Sequence, residues 1–113
     1  MVDDDRDQCQ LRALLLSSSG FDALEALDGA SAKILAASQR PTAAVVDLGL
    51  PTYEDGFRLI RDLKAIDSDI RVVVLTGAGP NKVASRPEAS LIDKLLIKPA
   101  STADLIQTLR SYE

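Results

Sequence analysis

Short apolar runs alternate with amphipathic stretches from one end of this chain to the other. Ala43-Ala44-Val45-Val46, Val72-Val73-Val74-Leu75 and Leu95-Leu96-Ile97 are continuous aliphatic segments. Runs with no polar alternate suit parallel strands buried on both faces. Phe21 to Leu27, introduced by Gly20, is a weaker strand candidate, and Met1 to Asp4 is a short one. Between them lie helical patterns. Leu11, Leu14 and Leu15 predict one apolar face, Leu59, Ile60 and Leu63 a second, and Leu105, Ile106 and Leu109 a third. The third is led by Ser101 and Asp104 at the spacing of a helix cap. Ala30 to Ser38 reads as a helix rich in alanine, with Pro41 as its stop. This rhythm predicts right-handed βαβ units, hence an α/β fold: a doubly wound, five-stranded parallel sheet flanked by helices.

Composition narrows the picture. With 113 residues, 46% hydrophobic and 27% charged, the chain suits a single globular domain over residues 1–113. A net charge of -4, with basic residues scattered from Arg6 to Arg110, offers no clustered basic face for nucleic acid. No apolar stretch approaches the roughly 18 residues that span a bilayer. The acidic start differs from a signal peptide, so a cytoplasmic location is expected. Cys9, the one cysteine, allows no internal disulfide and reads as an inert helix residue facing the core. The absence of histidine excludes histidine-based catalysis and histidine zinc sites within the chain. Tyr53 and Tyr112 read as surface packing residues.

In such a sheet, functional groups collect at the carboxyl ends of the strands. The first predicted strand ends at Asp3-Asp4-Asp5, the third at Asp47, the fourth at Thr76 and the fifth at Lys98. Carboxylates, a hydroxyl and an ammonium should therefore meet at one edge. Crowded carboxylates repel unless a cation neutralises them, and hard oxygen donors favour Mg²⁺. A cation with open positions beside a lysine is a receptor for phosphate. Singly, each signal has a plainer reading: solvated charge at Asp3 and Asp4, a strand-ending turn at Thr76-Gly77, a loop at Lys98-Pro99. Asp47 resists that treatment, because a carboxylate after a buried strand is costly without a partner.

Val45-Val46-Asp47-Leu48-Gly49-Leu50-Pro51, Val73-Val74-Leu75-Thr76-Gly77 and Leu96-Ile97-Lys98-Pro99 resemble three signature segments of response-regulator receiver domains. Val2-Asp3-Asp4-Asp5 resembles the acidic end of their first strand, and the order and spacing match along nearly the whole chain. The resemblance implies a flavodoxin-like sheet of order 2-1-3-4-5. It implies that Asp47 is the phosphoacceptor, attacking a phosphohistidine of a histidine kinase or phosphotransfer protein. Asp3 and Asp4 would hold Mg²⁺ together with Asp47 and the backbone carbonyl of Gly49. Thr76 would be the switch hydroxyl, Lys98 the partner of the phosphoryl group, and Pro99 would follow a cis peptide bond. Gly77 would leave open the space beside Thr76. The phosphorylated state would act on a downstream protein or a fused domain.

Four departures from that pattern carry expectations of their own. Only Met1 and Val2 precede the acidic cluster, so the first strand reads as truncated, and apolar residues added ahead of Met1 should stabilise the fold. The Asp47–Gly56 loop reads as one residue longer than usual. Leu95 stands where an aromatic switch residue is common, and Pro87 should end or break the fourth helix. Neither Gly49 nor Ala78, two positions after Asp47 and Thr76, can hydrogen-bond a hydrolytic water through its side chain. The alternative function is a receiver-fold binding module that docks a protein without being switched by phosphate. An aspartyl-nucleophile phosphatase needs an acid where Gly49 stands, and the acidic first loop would repel a flavin phosphate.

Overall fold

A computed structural model describes residues 1–77 and 79–113. The helices are α1 (Arg6–Ser18), α2 (Gly29–Gln39), α3 (Tyr53–Ile66), α4 (Pro80–Ala84) and α5 (Thr102–Arg110). The strands are β1 (Ala43–Asp47), β2 (Arg71–Thr76) and β3 (Lys94–Ile97), and a 3₁₀ turn covers Pro87–Leu91. Among the described residues the sheet has three parallel strands in the order β1-β2-β3.

The five-strand expectation is thus corrected in number but kept in order. Val2 forms parallel bridges to both Ala26 and Val46, which places a first and a second segment beside β1 in the expected sequence. Each contributes one bridge rather than a ladder. The first is short because Asp3 already turns the chain, its Oδ1 accepting the Asp5 N–H at 2.9 Å, and Asp5 then caps α1. Phe21 to Leu27 carries Asp22 and Glu25; among the described residues its one β-bridge is at Ala26, with the Leu24 carbonyl accepting from the Met1 ammonium, before Asp28 caps α2.

The continuous apolar runs are explained by two cores. Ala44, Val46, Val72 and Val74 face α2 and α3, whereas Val45, Val73 and Leu75 face Leu16 of α1 and Leu105 and Leu109 of α5. Period-two alternation thus fills both sides of one sheet. The predicted face on α3 is buried as expected, and on α5 Leu105 and Leu109 are buried while Ile106 is half-buried against the same core. Ser101 caps α5 by accepting the Asp104 N–H at 3.0 Å. Helix α2 ends where Arg40 turns left-handed, φ 44°, just before Pro41.

The α1 face is a correction. Leu11, Leu14 and Leu15 are exposed, and the buried stripe is Cys9, Ala13 and Leu16. The Cys9 Sγ–H, fully buried as expected, points to the carbonyls of Met1 at 3.5 Å and Ala26 at 3.7 Å. Pro87 acts as predicted: α4 stops at Ala84 and the chain restarts as a 3₁₀ turn at Pro87. Glu88 in that turn is buried and held by Arg61 at 3.3 Å and Arg86 at 3.2 Å.

Candidate functional site

β1 and the Val2 bridge set the site. Val2 accepts the Asp47 N–H at 2.9 Å, which brings Asp3, the next residue, beside the end of β1. Both Asp3 and Asp47 are buried carboxylates at that edge. Lys98 follows β3; its N–H donates to the Thr76 carbonyl at 2.8 Å, so the next strand end is locked to β2. Its side chain crosses back, and Nζ lies 2.6 Å from Asp47 Oδ2. Residues separated by 51 positions thus form an ion pair at the carboxyl edge of the sheet.

These groups line a cleft of about 640 Å³ with Asp4, Asp5, Arg12, Pro99 and Ala100. Asp4 is exposed at the rim. Thr76 is fully buried at the end of β2. Among the described residues, nothing lies within 4 Å of where a Cβ on Gly77 would sit. The Lys98–Pro99 bond is cis, as the resemblance implies, and Leu50–Pro51 is also cis. In the loop after Asp47, Gly49 has φ +97°, and a Cβ there would meet the Tyr53 ring at 3.2 Å. An asparagine at position 49 would therefore change the loop as well as its polarity. Gly56 is needed for close approach, since an added Cβ would fall 2.7 Å from Leu48 Cδ1. Ala78 lies outside the described residues. Leu95 is half-buried against the α2–α3 core.

Arg12 was missed from sequence. Its NH1 donates to Asp3 Oδ2 at 3.2 Å and to Asp47 Oδ2 at 3.4 Å. The signal was present but outweighed: Arg12 belongs to the Cys9-Ala13-Leu16 stripe, which has fewer large apolar residues than the competing leucine stripe.

Burial holds the Asp3 carboxyl above the usual carboxylate range; the neighbouring Asp47 pushes the same way, while the Asp5 N–H and Arg12 oppose it. Two carboxylates in one buried place call for a cation, and hard oxygen donors open to a cleft suit Mg²⁺. Among the described residues no three acidic side chains already close into a metal cluster. The donor chemistry of the buried Asp3 and Asp47 carboxylates fits such an ion.

The family profile described as "Response regulator receiver domain" matches residues 1–110. The transcriptional regulatory protein PrrA of Mycobacterium tuberculosis is 34% identical over 113 residues, covering 98% of this chain and 47% of that protein. The response regulator MprA of Mycolicibacterium vanbaalenii is 33% identical, with 98% and 48% covered. The chain therefore spans about half the length of these relatives. The receiver domain of the Francisella response regulator 1452 superposes with a TM-score of 0.85 at 25% identity, over 98% of this chain and 91% of that one. A Burkholderia pseudomallei response regulator, solved with a phosphorylated aspartic acid, calcium ion and citrate, gives 0.80 at 26% identity, over 98% and 62%. Edge carboxylates clamped by a lysine, on a doubly wound sheet and under a profile running almost from end to end, have one reading: the chain belongs to the response-regulator receiver domains of two-component signalling.

Proposed function

We propose that Asp47 accepts a phosphoryl group from the phosphohistidine of a histidine kinase or phosphotransfer protein. The observation that carries this is the Lys98–Asp47 contact of 2.6 Å at the mouth of the cleft. An Asp47 carboxylate oxygen attacks phosphorus in line, the P–N bond breaks, and its electron pair returns to the donor imidazole. Phosphoryl transfer asks little covalent chemistry of a protein beyond positioning and charge stabilisation. Lys98 supplies a fixed positive charge for the phosphoryl oxygens. Asp3, Asp4, Asp47 and the Gly49 carbonyl are the residues that would hold Mg²⁺. The ion would neutralise the charge that builds on the transferring group. Thr76, buried at the strand end, is the hydroxyl that would turn to the phosphoryl oxygen and relay the change to a downstream protein or fused domain. The chain acts here as a phosphoacceptor rather than a turnover enzyme.

Incubation with acetyl phosphate and Mg²⁺ should add one phosphoryl mass to the wild-type chain and none to Asp47→Asn. Equal incorporation in both proteins would defeat the assignment. Binding of a partner with the same affinity before and after phosphorylation would leave the acceptor in place but favour the unswitched docking module.

A further inference from the structure

Arg12 occupies a place that the phosphoacceptor chemistry does not explain. Its guanidinium nitrogen sits between the carboxylates of Asp3 and Asp47, 3.2 and 3.4 Å from their Oδ2 atoms. The same Asp47 oxygen also takes Lys98 at 2.6 Å. Helix α1 cannot rotate to withdraw Arg12, because Cys9, Ala13 and Leu16 on the same stripe are packed in the cores. Only the side-chain stem can swing, and the cleft gives it room. A divalent cation held by Asp3 and Asp47 needs the lone pairs that the guanidinium now occupies, and like charges at that separation repel.

We propose that Arg12 is a built-in counter-cation that competes with the divalent metal for Asp3 and Asp47, so that metal binding expels it from between them. In the metal-free protein it holds the carboxylate pair together. In the metal-bound protein its charge is released to the cleft mouth. The proposal rests on the phosphoacceptor reading for the metal's place, but its test does not depend on phosphorylation.

Mg²⁺ affinity is to be measured by calorimetry on the wild type, Arg12→Gln and Arg12→Lys, with melting curves in chelator and in saturating Mg²⁺. Arg12→Gln keeps a polar stem but loses the charge, and should bind Mg²⁺ roughly tenfold more tightly, the scale of one lost charge-assisted contact. It should melt below the wild type in chelator, and the gap should close in Mg²⁺. Arg12→Lys retains a competing charge and should bind within about threefold of the wild type, well short of the tenfold gain. Equal Mg²⁺ affinity in all three proteins overturns the proposal while leaving the metal site intact. If Arg12→Lys gains as much affinity as Arg12→Gln, charge is not the cause and the proposal fails. No Mg²⁺ binding by any of them removes both the metal site and the competition. Phosphoryl incorporation at saturating Mg²⁺, measured by mass in the same samples, then tests the Asp47 assignment separately.

Discussion

The sheet is open at both ends by nearly the same volume, about 640 Å³ at the carboxyl edge and about 600 Å³ at the amino edge. Size therefore does not tell the two apart. At the carboxyl edge, Asp3, Asp4, Asp5 and Asp47 face two cations, Arg12 and Lys98, so the opening keeps a net negative charge. At the amino edge, the lining includes Phe21, Leu24, Leu35, Ala43, Leu63 and Leu109. Asp93, beside the start of β2, is by contrast well supplied with donors: Val72 N–H at 2.8 Å, Lys64 at 3.0 Å and Arg71 at 3.5 Å. One end is lined by charged groups. The other is lined mainly by apolar side chains.

The amino edge gives the largest expected effect. The Met1 ammonium donates to the Leu24 carbonyl at 2.9 Å, as a ladder N–H would, and burial pushes its pKa down. Thr42 accepts from Arg71 and Val45 accepts from Val2, so the alternation aims the Ala43 carbonyl and the Val45 N–H at the cavity. Adding Ile-Leu-Val before Met1 should bury one or two aliphatic side chains there, at roughly 1.5–3 kcal/mol each before ordering costs. The expected net gain of about 2 kcal/mol raises the melting temperature by several degrees. An extended chain that melts at or below the original would show that the cavity does not accept a strand. Mg²⁺ affinity should be unchanged by the extension.

Asp93 gives the next effect, with a definite pH sign. Burial raises its pKa, but the Val72 N–H, Lys64 and Arg71 outweigh burial and hold it below the ordinary carboxylate range. Its stabilisation is therefore present above the unfolded carboxylate pKa and is lost as pH falls through the lowered folded value. Asp93→Asn should cost about 1.5 kcal/mol at neutral pH, the scale of a hydrogen bond to a charged group. Melting curves across the acid range should show that deficit shrinking toward low pH. A deficit that stays constant would mean that the amide loses packing rather than charge.

How far the sequence reveals each end follows from the kind of signal each carries. The cores were legible because β1 and β2 are apolar without interruption, a pattern that both-sided burial demands. Asp47 and Lys98 were legible because strand ends in a doubly wound sheet fix where side chains emerge. The rotation of α1 was not. Two stripes compete on that helix, and tertiary contacts of Cys9 with the Met1 and Ala26 carbonyls favour the less hydrophobic one. Arg12 was lost with it. Asp93 and Glu88 were equally hidden, since their partners are brought together only by the fold; Lys64 and Arg61 precede them by 29 and 27 positions.

The smallest stability effect should fall on Asp4, together with a clear effect on metal binding. It lies at the cleft rim and is exposed, so it contributes little to either core. Surface substitutions away from caps and buried networks stay within about 0.5 kcal/mol. Asp4→Ala should thus melt within about 2 °C of the wild type in chelator. Removing it takes one negative charge from a cleft already short of cations, so Mg²⁺ should bind more weakly, by several-fold on the scale of a partly screened ion pair. Calorimetry and melting curves on the same sample separate the two quantities. Wild-type Mg²⁺ affinity in Asp4→Ala would leave Asp3 and Asp47 as the whole acidic site. A large loss of stability would instead make Asp4 a structural residue and erase the contrast between the two ends of the sheet.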